Sequence, residues 1–433
     1  MCLLVAGSNL LEAKEVQRIY AGPRLGQIIR DPNHLQWLMH KGGHHVFICG
    51  PGDPEGFLYL GQRKGDGTRD GNQIELIEKL IEHGGNCIYL QTLRGFDANG
   101  DGKKDGGGDG AADENPFIDG DPRKGIDPRI LTQWEEWFAK IDKKGILIYL
   151  FIHDDSVRKP WSYQPGAVDP DEKAYVETIV NRFKHHLNLI WVVGEEHDDA
   201  DYVNDIAAII AEADEFDHLI GNHHNSSIPF KTWREGGFLN HHAMQFTAST
   251  DEVHGVAIQA RRLGEEAGRD GNGFMTIYSE STGSQGNDVD DTRHYNWNIA
   301  MAGVMPMRLG MDIENTPPEA LEQCRILQKF FERTDFYAMA NADELALAGS
   351  RFVLANPGRS YIVFSDDPNS PIGLKDSPSG LYDLLWVDCV SGTMTEQNEV
   401  LISGGNATWE RPETIGKECA VWVRRTGNGT TRE

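Results

Sequence analysis

Short apolar runs alternate with amphipathic stretches from about residue 34 to residue 335. The runs are His45–Cys49, Asn86–Gln91, Gly145–His153, Leu189–Gly194, His218–Asn222, His242–Phe246, Phe274–Ser279 and Gly303–Met307. They are rich in Val, Ile and aromatic residues and bounded by turn residues, the pattern of strands buried on both faces of a parallel sheet. Between them apolar residues recur at helical spacing. One stripe is Ile130, Trp134, Trp137, Phe138 and Ile141, and another is Val176, Ile179, Val180 and Phe183. Gln73–His83, Tyr202–Ala213 and Leu321–Phe331 read the same way. Eight strand–helix units in succession predict a (β/α)8 TIM barrel, with Trp134 and Trp137 packing a helix onto it.

Past Phe336 the period changes. Leu345–Ala355, Ser360–Ser365, Leu381–Asp388 and Ala420–Arg424 are short β-like runs separated by Pro, Gly, Asn and Asp. They predict a small antiparallel β-sandwich, giving a barrel domain over residues 1–340 and a sandwich over 341–433. No low-complexity linker separates the two, so direct packing is expected.

The run Leu189–Val193 ends in Gly194 and two adjacent carboxylates, Glu195 and Glu196, and a later run delivers Glu280. Acids at the carboxyl ends of barrel strands sit at the mouth where such enzymes work. Two of them, one protonated and one ionised, suffice to cleave a glycosidic bond. By register Glu196 is the acid/base and Glu280 the nucleophile. Adjacent residues on an extended strand point to opposite sides, so only one of Glu195 and Glu196 is expected to face the pocket.

Charge sharpens this picture. Lys+Arg 41 against Asp+Glu 67 gives a net charge of −26, which argues against nucleic-acid or anionic-membrane partners. No apolar run approaches the ~20 residues of a membrane helix. The start, MCLLVAGSNLLEAKE, lacks the basic and apolar regions of a signal peptide. A cytoplasmic protein, or one whose signal precedes this chain, is therefore expected. Six scattered cysteines read as buried thiols, with Cys389 and Cys419 the one pair to test for a disulfide.

Much of the acid lies in one loop after the second strand. Asp97, Asn99, Asp101, Gly102 and Asp105 occupy positions 1, 3, 5, 6 and 9 of an EF-hand-type calcium loop, with Lys103 at the backbone-carbonyl position. Position 12 is Gly108, so Asp109, Asp113 or Glu114 must supply the last ligand. A structural Ca2+ there would order a long active-site loop. The histidines occur in HH pairs without HxH or HExxH spacing, which favours hydrogen-bonding roles, with His153 and His223 in the cleft. Trp161 is the preferred sugar platform, and Tyr278 another aromatic near the mouth.

These residues carry a resemblance to the clan A retaining glycoside hydrolases, closest to the apiosidase-like glycosidase families. Arg94 follows strand two, His153 ends strand three, His241 and His242 open strand six, and Thr292–Gly310 (TRHYNWNIAMAGVMPMRLG) is similar to those families. Arg351–Asp367 with Gly380–Gly392 resembles their C-terminal collagen-binding-like sandwich. The resemblance implies substrate contacts for Arg94, His153 and His242; with Glu195, His223, Trp161 and Tyr278 from the readings above, these make the expected substrate-binding set. It also implies a carbohydrate substrate, a β-1,4-glucan or xylan being suggested by the clan alone. The chain departs from the clan pattern in having Glu195 where Asn precedes the acid/base. It also lacks a Tyr in HHAMQF and a Trp in GVMPMRLG. The expected function is thus a retaining glycoside hydrolase of plant or microbial glycans. A metal-dependent barrel hydrolase and a carbohydrate-binding protein without catalysis are the rivals.

Overall fold

The structure, a computed structural model, describes residues 21–51, 56–97, 101–103, 110–154, 161–224, 230–267, 273–280, 288–309 and 311–427. Among the described residues seven parallel strands pair in unbroken sequence order. They are strand two (Cys87–Gln91), three (Leu147–His153), four (Leu189–Gly194), five (Ile220–His224), six (His241–Gln245), seven (Met275–Glu280) and eight (Met305–Leu309). The numbering counts His45–Cys49 as the first.

That first segment differs from expectation. His45–Val46 pairs instead with an antiparallel hairpin, Ile28–Arg30 and Leu38–His40. Residues 47–50 still close the barrel, through other bonds. The Asn86 side chain accepts from the Cys49 N–H (2.8 Å) and donates to the Phe47 carbonyl (2.9 Å), while Gly50 N–H reaches the Pro306 carbonyl (3.0 Å). One asparagine side chain replaces a ladder. The hairpin plugs the opposite end from the mouth, where Gln36 donates to the Thr276 carbonyl (2.9 Å) at the start of strand seven.

Among the described residues seven helices surround the sheet: α1 (Gln73–His83), α2 (Pro128–Lys143), α3 (Pro170–Phe183), α4 (Ala200–Ala213), α5 (Val253–Ala267), α6 (Val289–Met301) and α7 (Pro318–Phe331). Their starts are written locally. Asp127 and Asp169 precede Pro128 and Pro170 and accept the N–H of Arg129 and Asp171; Asp199 and Asp288 cap α4 and α6. The predicted stripes on α2 and α3 are buried, and Trp134 meets Tyr59 edge-on at 6.0 Å. No described helix is long and apolar enough to cross a membrane.

From Ala340 onward the strands are antiparallel, in sheets of six and three strands. The six-stranded sheet alternates: Val353, Val363, Leu384, Trp386 and Val421 face the smaller sheet's Ile372 and Leu374, while Leu354, Ile362, Phe364 and Leu385 join the barrel's core. Phe364 stacks on Trp297 of α6 at 5.4 Å. The barrel-facing side of the six-stranded sheet therefore belongs to the barrel's apolar core, while the sandwich keeps a core of its own. Cys49, Cys87, Cys324, Cys389 and Cys419 are buried free thiols, so the Cys389–Cys419 bridge is not formed.

Candidate active site

Two local irregularities aim the acids. Glu195 continues strand four, its N–H bonded to the His153 carbonyl (3.2 Å), and its side chain is only 3% exposed. At Glu196 the backbone turns left-handed, φ 50°. That conformation costs a non-glycine residue about 1 kcal/mol or more and tends to persist where function holds it. It also breaks the alternation expected of an extended strand end, and Glu196 stays half-buried. On strand seven, Tyr278 lies opposite Pro306 but Glu280 lies opposite Leu309, and on the other side Met244 and Gln245 face Tyr278 and Glu280. The slip at Ser279 is a bulge that re-aims the following side chain. Tyr278 accordingly faces the helices, its hydroxyl donating to the Phe246 carbonyl and lying 2.8 Å from the Tyr295 hydroxyl.

Glu280 turns inward to meet Glu195 and His223: one donor atom of each lies within 4.8 Å of the other two. His223 Nε2 stands 3.4 Å from Glu280 Oε2. Burial, with His224 adding to it, pushes the His223 imidazole down to about 3, so it is neutral across the working range. Behind the acids lies a polar chain. Gln91, the last residue of strand two, donates through Nε2 to Glu195 Oε2 and to Asp154 Oδ1 (2.8 Å). Arg94 Nε is 3.8 Å from Asp154 Oδ2 and 3.1 Å from Glu114 Oε2, so Arg94 supports the cluster from behind. Gln91 and Asp154 escaped the sequence reading, although both sit at strand ends where barrel chemistry is placed.

Other expected site residues lie elsewhere. His153 is not turned to the acids; its ring lies among Tyr175, Tyr202 and Trp161 at 5.8, 6.1 and 6.3 Å, with Nε2 3.5 Å from the buried Glu172. Trp161 is 7% exposed and stacks on Tyr175 at 5.4 Å, the surroundings of a core residue rather than an open platform. His242 stacks on Phe230 at 4.3 Å on the helix side of strand six, because the inward position belongs to His241, whose Nε2 is 2.7 Å from the Tyr149 hydroxyl. Tyr278 is likewise a packing residue. In the acidic loop, Asp97 Oδ1 and Oδ2 accept the N–H groups of Asp101 (3.2 Å) and Gly102 (2.6 Å), and Asp101 Oδ1 accepts that of Lys103 (2.9 Å). Asn99, Asp105, Gly108 and Asp109 lie outside the described residues.

Residues 77–304 match the family described as Apiosidase-like, catalytic domain. The match ends before the antiparallel sheets begin. Among curated proteins none matches the chain. A solved glycoside hydrolase family 5 structure from Bacteroides vulgatus superposes with a TM-score of 0.65 at 14% identity, covering 92% of this chain and 94% of that one. A second solved structure, named simply glycoside hydrolase, gives 0.64 at 15% identity, covering 93% and 97%. At such identities these likenesses establish the fold of both parts, barrel and sandwich.

Proposed function

This chain belongs to the apiosidase-like catalytic-domain family and is a glycoside hydrolase, and on that premise we propose that it cleaves glycans with retention of anomeric configuration. Glu280 attacks the anomeric carbon as Glu196 protonates the leaving oxygen. Glu196 then takes a proton from the water that releases the sugar from Glu280. The observation that carries the reading is the convergence of strands four and seven, with Glu195 and Glu280 within 4.8 Å. Glu195 is the chain neighbour of Glu196, so the same convergence brings Glu196 to the mouth beside Glu280; a retaining mechanism requires those two carboxyls about 5–5.5 Å apart.

The choice between the adjacent glutamates rests on access. An acid/base must meet the leaving group and later a solvent water. Glu196 is half-buried and so keeps solvent contact; Glu195 is closed off and held by Gln91. Glu195 is therefore assigned to holding a hydroxyl of the reacting sugar, with neutral His223 as a hydrogen-bonding neighbour. Substrates are plant or microbial polysaccharides or their oligosaccharides. The acidic loop is assigned a structural Ca2+ held by Asp97, Asn99, Asp101, the Lys103 carbonyl and Asp105. Its support is the ligand spacing and the hydrogen bonds that the Asp97 carboxylate accepts from the Asp101 and Gly102 N–H groups.

The test is reducing-end release from a glycan panel by wild type, Glu280→Gln, Glu196→Gln and Glu195→Gln. Loss of at least about 10^4-fold in Glu280→Gln is expected. Glu196→Gln should keep its rate on aryl glycosides with good leaving groups and respond to added azide, and Glu195→Gln should not. A Glu280→Gln protein as active as wild type ends the two-glutamate mechanism.

A further inference from the structure

We propose that Glu195, His223 and Glu280 form a binding site for a divalent transition-metal ion, and that an ion seated there blocks the active site. The three side chains come from the ends of three different strands, four, five and seven, so the barrel itself fixes their spacing. Their donor atoms lie within 4.8 Å of one another. Two carboxylates and an imidazole suit Zn2+, which binds N and O donors at about 2.0–2.2 Å and leaves a fourth position for water. Such bonds place tetrahedral ligands about 3.4 Å apart. His223 Nε2 and Glu280 Oε2 already stand at 3.4 Å, so the remaining closure falls to glutamate rotamers.

The independent pointer is His223. It is fully buried, and neither ring nitrogen has a hydrogen-bond partner among the described residues. A buried polar atom left in this way calls for a ligand or an ion. Its Nε2 faces the Glu280 carboxylate at 3.4 Å, an arrangement that a cation between them would satisfy. Gln91 supplies the outer support that ligating carboxylates commonly have. The blocking rests on Glu280 being the nucleophile; the binding does not.

Glu135, His185 and His186 make a second such group on the outer face, so the experiment uses full-length His185→Ala protein. The protein is saturated with CaCl2 to keep zinc from the acidic loop, then titrated calorimetrically with ZnCl2. One saturable ion is expected, its affinity reduced more than about tenfold by His223→Ala and by Glu195→Gln. His223→Gln, which fills the same space, replaces the alanine variant if that variant fails to fold. Absence of saturable binding, or binding unchanged in these variants, overturns the site. Zinc should also raise KM for a cleaved glycan without lowering kcat. Binding as expected with kcat and KM both unchanged would keep the ion site and overturn the blocking, and with it the role given to Glu280.

Discussion

Replacing Glu418 by glutamine should loosen the junction between sandwich and barrel, in a way that acid erases. The Glu418 carboxylate accepts two bonds from Arg293 of α6, at 2.6 and 3.0 Å, and lies 3.1 Å from His294 Nε2. Burial works to raise this carboxyl, but the hydrogen bonds from His294 and Arg293 outweigh it and hold it at about 2, against an ordinary 4.5. A difference of that size corresponds to about 3 kcal/mol of stability. The side chain is 18% exposed, so solvent screening reduces the figure to about 2 kcal/mol. Glutamine keeps the shape and one acceptor but loses the charge beside the buried Arg293, and the melting temperature should fall by about 4 °C near pH 7. Because the folded carboxyl is depressed, its contribution is complete above about pH 4.5 and is lost as pH falls toward about 2. Thermal melts of both proteins, followed by tryptophan fluorescence across this range, should therefore converge at the acid end. Equal melting near neutrality, or a gap that stays constant into acid, would refute the reasoning.

Further expectations follow from the same geometry. His186 is raised above its ordinary value: burial acts to lower it, and hydrogen bonds to Asp142 and Glu135 win. Its contribution is complete below about pH 6.5 and fades as pH rises through the folded value, so His186→Gln should melt lower than wild type near pH 6 and alike near pH 9. Trp161→Ala should cost about 3–5 kcal/mol in denaturant unfolding while KM on a cleaved glycan moves little; a large KM change at unchanged stability would restore it as a sugar platform. Gln91→Leu, which frees Glu195 from its anchor, should lower kcat by about 10^2-fold and cost about 1–3 kcal/mol of stability by leaving buried carboxylate oxygens without their donor, and an unaltered kcat would remove Gln91 from the site.

Much of the fold was legible without coordinates. The apolar run Leu189–Val193, the helical stripes on α2 and α3 and the period-two alternation past Ala340 are local signals, and local spacing decides which face is buried. Positions 195, 196 and 280 were legible as strand-end acids because glycine and carboxylates end an apolar run abruptly. Facing was not legible. Side-chain direction along a strand is known only relative to its neighbours, and one bulge reverses it. Counting alternation from Tyr278 would put Glu280 on the same face; the slip at Ser279, set by pairing with strands six and eight, separates them. The left-handed turn at Glu196 likewise removed the premise that only one of two adjacent glutamates can serve the mouth. His242 was assigned inward although His241 holds that position, and only the neighbour Tyr149, 92 residues away in sequence, decides it. The sequence by itself determined which strands end in acids; tertiary pairing decided which of those side chains meet, because register is a property of neighbouring strands and not of one.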